Sequence, residues 1–291
     1  MLQLDTAQNR RIGIGLVAVS MLMFATLDTS GKYLVQTLPV MQVVWLRFVA
    51  QVLISTLLLA PIYGRDLVRV RSWRLQGLRG AMLGVMTLFN FWALQYLQLA
   101  ETASIQFSVP LLIALLSAWW LGERLDARRW LAIAVGFGGV LLVIRPGSHA
   151  FHPATLLLCV NALIMAMFNI LTRRMAATET AASMQWMSAM VAAVTLAPLA
   201  LAQWQTPQGW LPWALIGVCG LCGGLGHYAV AKAHGYASAT TLGPFMYQQI
   251  IYMTLWGWLV FNQVPDGVVV GGAAVVVASG LYLLWLEMRR R

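Results

Sequence analysis

Three charged side chains lie inside the first two long apolar stretches of this 291-residue chain: Asp28, Lys32 and Arg47. Asp28 and Lys32 are four positions apart, so on a helix they share a face and are able to pair. A charge near the middle of a bilayer costs about 2.5–3.5 kcal/mol on insertion scales, and such charges usually serve a function. We therefore predict that these residues line a solute path, with Arg47 holding a substrate carboxylate or pairing with Asp28. The alternative is a set of structural ion pairs near one membrane surface.

Aromatic and amide side chains extend this candidate site. Phe89, Trp92 and Tyr96 recur at spacings of three and four, which places them on one helix face, with Asn90 beside it. Such a stripe is able to stack flat solutes. Aromatic residues at this spacing also pack between helices or anchor a helix at a membrane interface, so both interpretations stay open. Gln106 is expected to present its amide to the same space.

A second group of candidates lies in the C-terminal half. His227 and Tyr228 follow a glycine-rich run, and a histidine in a membrane span usually faces the protein interior, where its pKa range suits proton coupling. Tyr247 and Gln248 follow a proline in a later apolar stretch. Close helix packing and interhelical hydrogen bonds are the structural alternatives, and they apply equally to Asn161. The complete predicted solute path comprises Asp28, Lys32, Arg47, Asn90, Trp92, Tyr96, Gln106, Asn161, His227, Tyr228, Tyr247 and Gln248.

The elements that carry these residues are predicted to be ten membrane-spanning helices, so the fold class is all-α. The chain is 60% hydrophobic and only 10% charged, whereas a soluble domain carries about 25% charged residues. A span needs about 20 mostly apolar residues, so ten spans leave only short loops. The predicted spans are Ile12–Gln36, Gln42–Tyr63, Leu78–Leu97, Ala103–Leu121, Trp130–Ile144, Pro153–Leu171, Ala181–Ala202, Pro212–Ala231, Thr240–Phe261 and Gly267–Leu286.

The distribution of positive charge supports this topology. Of the nineteen Lys and Arg residues, sixteen fall on one side of a ten-span arrangement, and only Lys32, Arg47 and Arg145 fall on the other. Because short cytoplasmic loops collect Lys and Arg, we predict a multi-pass protein of the bacterial inner membrane with both termini in the cytoplasm. The first apolar stretch is longer than the core of a signal peptide, about 7–15 residues. The predicted cytoplasmic group contains Arg10, Arg11, Arg65, Arg69, Arg71, Arg74, Arg79, Arg124, Arg128, Arg129, Arg173, Arg174, Lys232, Arg289, Arg290 and Arg291.

Ten spans divide into two sets of five with opposite orientations. Related halves must then be inverted repeats, as in many secondary transporters, and we place them at residues 1–147 and 148–291. A proline several residues into each of two matched helices is expected to weaken a backbone hydrogen bond in both. A shift of 134 residues supplies such a match, with Ala103, Ser104 and Pro110 over Ala237, Ser238 and Pro244.

Motifs spread over nearly the whole chain add to this pattern. They include Asp28, Lys32, Trp45-Leu46-Arg47-Phe48, Pro110, Leu121 to Leu125, Trp130, Gly138-Gly139-Val140, Gly257 to Phe261, Pro265, Gly271-Gly272 and Ser279 to Tyr282. In order and spacing they resemble the EamA-type drug/metabolite transporter superfamily, although Gln263 stands where the second half of that family often has Glu. The resemblance implies ten helices in two inverted halves around a central cavity. It also implies carriage of small organic solutes, as in amino-acid exporters, nucleoside and cofactor carriers, and uptake systems resembling those for riboflavin or S-adenosylmethionine.

Other function classes are less well supported. The sequence has no Gly-x-Ser-x-Gly or His-Glu-x-x-His motif, no nucleotide-binding motif, and only a single C-x-x-C, at Cys219 and Cys222. An intramembrane enzyme and a channel are therefore the disfavoured alternatives.

We predict a secondary transporter that moves a small metabolite, with a planar or aromatic one slightly favoured, by alternating access. It is expected to need no catalytic residue, metal or cofactor. The predicted partners are the solute and the lipid bilayer, without nucleic acid, and a homodimer is compatible but not required. Import against export, and proton coupling against exchange or facilitation, stay open.

Overall fold

A computed structural model describes residues 6–121 and 126–289 of the chain. Among the residues discussed above, Gly122, Glu123, Arg124, Leu125, Arg290 and Arg291 lie outside this part. Within it the chain forms twelve α-helices, and a short 3-10 helix, Gly64–Leu67, follows the second of them. The α-helices are α1 (Ala7–Leu34), α2 (Val40–Tyr63), α3 (Trp73–Leu94), α4 (Leu99–Gln106), α5 (Val109–Leu121), α6 (Ala127–Ile144), α7 (Ala154–Met175), α8 (Ala181–Ala202), α9 (Trp210–Tyr236), α10 (Ala239–Met246), α11 (Gln248–Phe261) and α12 (Gly267–Met288).

Several helix starts are set by short polar side chains. Each of four such residues accepts a hydrogen bond from the backbone N–H three positions later, which satisfies a donor that has no partner within the helix. These residues are Thr6 for α1, Asp126 for α6, Thr180 for α8 and Ser238 for α10. Asn262 ends α11 in the left-handed conformation, with φ of 52°, which asparagine tolerates better than most residues.

The predicted all-α, polytopic membrane fold is confirmed. In the described part of the chain, nine helical stretches are long and apolar enough to cross a membrane. One of them, Leu99–Leu116, runs through α4 into α5. The remaining predicted span corresponds to α10 and α11, each of which is too short to cross alone.

Two of the predicted spans are interrupted. Between α4 and α5 the helix breaks at Phe107 and Ser108, and between α10 and α11 it breaks at Tyr247. Pro110 has no N–H to donate to the carbonyl of Gln106, which accounts for the first break, and Pro244 removes a bond just before the second. The predicted effect of the two prolines is thus present, but the 134-residue register is wrong for these helices.

The two breaks correspond under a shift of 140 residues. This shift superposes the N-cap residues Gln98 and Ser238, and also the break residues Phe107 and Tyr247. The rings of Phe107 and Tyr247 lie in contact, with centroids 4.9 Å apart and planes inclined at 36°. The interruptions of the two spans therefore meet inside the bundle.

The main helix contacts join N-terminal helices to C-terminal ones. Helix α1 packs on α9, and α3 packs on α7. Helices α2 and α3 both pack on α8, and α2 also packs on α9. Helix α6 packs on α12. The α6–α12 contact is a backbone contact at two glycines. A Cβ added to Gly139 would lie 2.9 Å from the carbonyl oxygen of Gly272, and one added to Gly272 would lie 2.8 Å from that of Gly139. Small residues permit this approach.

We expect Gly139→Val to lower the stability of the protein by about 1–3 kcal/mol, because the two helices have to separate. Thermal unfolding of the detergent-purified protein measures the effect. Gly138→Val is the matched control, since a Cβ at Gly138 meets no atom within 4 Å. Equal unfolding temperatures for the two variants would contradict the proposed contact.

Candidate solute-binding site

A chain of three polar side chains connects α1, α3 and α4 in the core. The amide nitrogen of Asn90 donates to Oδ1 of Asp28 at 2.9 Å, and the amide nitrogen of Gln106 donates to Oδ1 of Asn90 at 2.6 Å. Asp28 and Asn90 are buried, and Gln106 is half-buried. Only one carboxylate oxygen of Asp28 is engaged by a described side chain. The structure therefore brings three predicted site residues together around a buried carboxylate.

Lys32 takes a different role from the one that its spacing suggests. Its ammonium group donates to the carbonyl oxygens of Leu94 at 2.9 Å and Leu97 at 2.5 Å, where α3 ends. It also lies 5.4 Å from the ring centroid of Phe261. No ion pair joins it to Asp28 within the described chain, so the predicted pair is wrong. The reason is that the end of α3 offers carbonyl groups without helical partners at this point.

Arg47 is a second buried charge with few partners. Its Nη1 donates to Oγ1 of Thr87 at 3.2 Å, its guanidinium lies 4.5 Å from the ring of Phe48, and its Nε has no hydrogen-bond partner. Arg47 and Asp28 attract each other electrostatically, but the described residues show no direct ion pair between them. Arg47 and Asp28 are thus opposite buried charges without direct contact.

The polar face of α2 continues beyond Arg47 and lies against glycines of α9. Gln51 and Ser55 follow Arg47 at intervals of four, and all three are buried. A Cβ added to Gly223 would lie 2.8 Å from Oε1 of Gln51 and 3.2 Å from Nη2 of Arg47, and one at Gly224 would lie 2.9 Å from Oγ of Ser55. Gln51 and Ser55 are not among the predicted site residues, although their helical spacing within an apolar stretch is a usable signal.

The remaining predicted residues are dispersed. Trp92 and Tyr96 are 42% and 58% exposed, and Tyr96 stacks on His152, so the predicted aromatic stripe faces away from the buried charges. Tyr228 packs edge-on against Tyr63. Asn161 is buried on α7, and its carbonyl oxygen has no partner.

Tyr247 and Gln248 line a large groove rather than the charged core. The groove has a volume of about 1050 Å³ and lies beside α4, α10, α11 and α12. Its other lining residues are almost all apolar, among them Ile251, Trp258 and Val270. These three side chains are also exposed on the outside of the bundle. A groove of this composition suits hydrocarbon better than a charged solute.

One ion pair joins the ends of α6 and α12. Arg145, which follows α6, binds both carboxylate oxygens of Asp266, which precedes α12. These hydrogen bonds lower the pKa of Asp266 and raise that of Arg145. Asp266 also accepts from the backbone N–H groups of Val268 and Val269 at the start of α12. The pair holds together the ends of two helices that already meet at Gly139 and Gly272.

We expect Lys32→Met to destabilise the protein by about 2–4 kcal/mol, because two buried carbonyl groups lose a charged donor. Lys232→Met is the control, since Lys232 is exposed and its ammonium group lies 5.8 Å from the ring centroid of Tyr228. Thermal unfolding in detergent compares the two. If the Lys32 variant unfolds at the same temperature as the Lys232 variant, the hydrogen bonds at the end of α3 do not contribute as described.

Comparisons with known proteins identify the family. The model of the EamA-like transporter family matches residues 11–145 and again residues 152–286. An S-adenosylmethionine uptake transporter of Rickettsia bellii (strain RML369-C) is 28% identical, over 98% of this chain and 97% of its own length. A riboflavin transporter of Vibrio cholerae serotype O1 is 28% identical over 75% of this chain and 73% of its own, and a pseudopaline exporter of Pseudomonas aeruginosa (strain UCBPP-PA14) is 25% identical over 93% and 95%.

The fold is also found among solved structures. One crystal structure covers 98% of this chain and 99% of its own, with a TM-score of 0.66 at 20% identity. The family resemblance predicted from the sequence motifs is confirmed by these matches. The chain belongs to the EamA-like transporter family, and it is a multi-pass membrane protein that transports a small metabolite.

Proposed function

We propose that the protein is an uptake carrier for S-adenosylmethionine or a closely similar cationic nucleoside amino acid. The observation that carries this proposal is the buried carboxylate of Asp28, which accepts a hydrogen bond from Asn90, itself held by Gln106. No cationic side chain in the described part of the chain contacts this carboxylate directly. A buried carboxylate without a paired cation is costly, and a positively charged solute relieves that cost. S-adenosylmethionine carries a sulfonium cation together with an amino acid group and a purine base.

The similarity to S-adenosylmethionine uptake transporters over nearly the full length supports the same solute. A second group of relatives carries riboflavin. Riboflavin has no cationic centre, so it has no positive charge that the carboxylate of Asp28 could attract. The aromatic residues Trp92 and Tyr96, which would favour a flat neutral solute, are turned to the outside. The structure thus favours the cationic solute over the flat one.

Alternating access is the proposed mechanism, with residues 1–147 and 148–291 as inverted repeats that rock against each other. Two features support this. The helix contacts occur in matching pairs, since α1–α9 corresponds to α3–α7 and α2–α9 to α3–α8. The family model also matches the chain twice, once on each side of residue 147. From the distribution of Lys and Arg we further propose an inner-membrane location with both termini in the cytoplasm.

We expect Asp28→Asn to reduce uptake of labelled S-adenosylmethionine into proteoliposomes at least tenfold, because the isosteric amide removes the negative charge but keeps the shape. The parent protein should show saturable uptake and counterflow, with competition by unlabelled S-adenosylmethionine and not by riboflavin. Asp66→Asn is the matched control, because Asp66 is exposed and pairs only loosely with Arg69, at 3.8 Å.

Two results would overturn the proposal. The first is a parent protein that carries riboflavin but not S-adenosylmethionine. The second is a well-folded Asp28→Asn variant that takes up S-adenosylmethionine at the parental rate.

A further inference from the structure

A small polar cavity lies where α2, α3, α7, α8 and α9 meet. It is lined by Gln51, Arg79, Leu83, Phe168, Gln185 and His227. Its volume is about 10 Å³, which corresponds to about one water molecule. Four of the six lining side chains are polar, in the middle of an apolar bundle. This Gln51 cavity is separate from the Asp28 group described above.

Gln51 is the residue that most needs an explanation. Its side chain is completely buried, and neither its amide nitrogen nor its amide oxygen has a hydrogen-bond partner. An unpaired buried polar group costs about 1–3 kcal/mol, so a leucine at this position would be more stable if the protein only had to fold. Gly223 leaves room for the amide, since a Cβ there would lie 2.8 Å from its oxygen. Gln51 therefore presents a donor and an acceptor to the cavity.

Arg79 supplies the positive charge. It was predicted to belong to the cytoplasmic basic group, but it is buried within α3, with its guanidinium 4.4 Å from the ring of Phe168. Its Nε donates to Thr172 at 3.0 Å, and its Nη1 donates to the carbonyl of Met184 at 2.7 Å and to Ser188 at 2.6 Å. These bonds fix the guanidinium in place and leave Nη2 for another partner.

The other two polar residues that line the cavity are Gln185 and His227. Gln185 donates to the carbonyl of Gly224 at 2.5 Å, which orients its amide and leaves its oxygen unused. His227 packs on the ring of Phe24, with centroids 4.8 Å apart, and its ring nitrogens bond to no other described residue. Among the residues that the structure describes, no acidic side chain lines the cavity. The cavity therefore combines one fixed positive charge with several amide and imidazole groups.

We propose that the Gln51 cavity is a second subsite of the carrier, which binds the carboxylate of a zwitterionic solute between Arg79 and Gln51. The proposal rests on the proposed function, since it gives the same solute a second place on its way through the protein. The sulfonium and the carboxylate are separated by only three carbons, so the solute occupies the group around Asp28 and the Gln51 cavity one after the other. Arg79 and Asn90 are eleven positions apart on α3, which corresponds to about 16 Å along the helix. The anionic subsite is thus displaced along the path from the group around Asp28. The cavity has to widen to admit a carboxylate, as it does if the helices around it separate during transport.

The test compares S-adenosylmethionine with decarboxylated S-adenosylmethionine, which keeps the sulfonium, amine and base but lacks the carboxylate. In proteoliposomes the parent protein should prefer the carboxylated solute. Gln51→Leu should reduce that preference about tenfold, the effect of losing one hydrogen bond to a charged group. Gln51→Met serves the same purpose if the leucine variant folds poorly, because methionine adapts to irregular spaces.

Gln76→Leu is the matched control. Gln76 is on α3, is equally buried and also has an amide without partners, but it does not line the cavity. If Gln51→Leu lowers transport of both solutes equally, or if Gln76→Leu changes the preference as much, Gln51 is structural and the subsite is refuted. A parent protein that carries S-adenosylmethionine without any loss of preference in Gln51→Leu refutes the subsite and leaves the proposed function standing.

A separate measurement covers the case in which the parent protein carries neither solute, which would refute the proposed function. Acetate should raise the unfolding temperature of the purified parent protein more than the same concentration of chloride does. That difference should disappear in Gln51→Leu and persist in Gln76→Leu. Equal effects of acetate and chloride on the parent protein would refute the carboxylate subsite on its own.

Discussion

The close backbone contact between α2 and α9 keeps a row of polar side chains inside the bundle. Because Gly220, Gly223 and Gly224 have no side chains, α2 approaches α9 closely enough to cover Arg47, Gln51 and Ser55. Larger residues on α9 would push α2 outward. The polar face would then meet lipid, where an unsatisfied polar group costs several kcal/mol. The glycine-rich run thus determines where the polar face of α2 lies.

Buried polar groups in this protein fall into two kinds. Lys32 satisfies the end of α3, and Gln42 exchanges two hydrogen bonds with the backbone of Gln205, so both contribute to the fold. Gln51 has no such partners, and Asp28 is positioned by amides without a cation beside it. A transporter has to bind its solute and then release it. The polar groups that other parts of the protein leave unsatisfied are therefore the ones that we propose as solute contacts.

Much of this arrangement follows from sequence, and the exceptions have physical causes. Long apolar runs predict the helices, and the predicted span Ala181–Ala202 has the same bounds as α8. The partner of Lys32 was not predictable from local spacing, because it depends on where α3 ends in space. Arg79 follows a basic segment and was assigned to it, whereas its contact with Phe168 depends on how α3 packs against α7. Spacing on one helix shows which side chains share a face, and only the packing of several helices shows what that face meets.

The contact between Phe107 and Tyr247 has a mechanical consequence. Each ring sits where its own helix loses regular hydrogen bonding, so each marks a point at which that helix bends most easily. Because Phe107 and Tyr247 are in contact, a bend in one helix displaces the other helix directly. The movement does not have to be transmitted through the connecting loops. The bending of the two interrupted helices is therefore coupled at this contact.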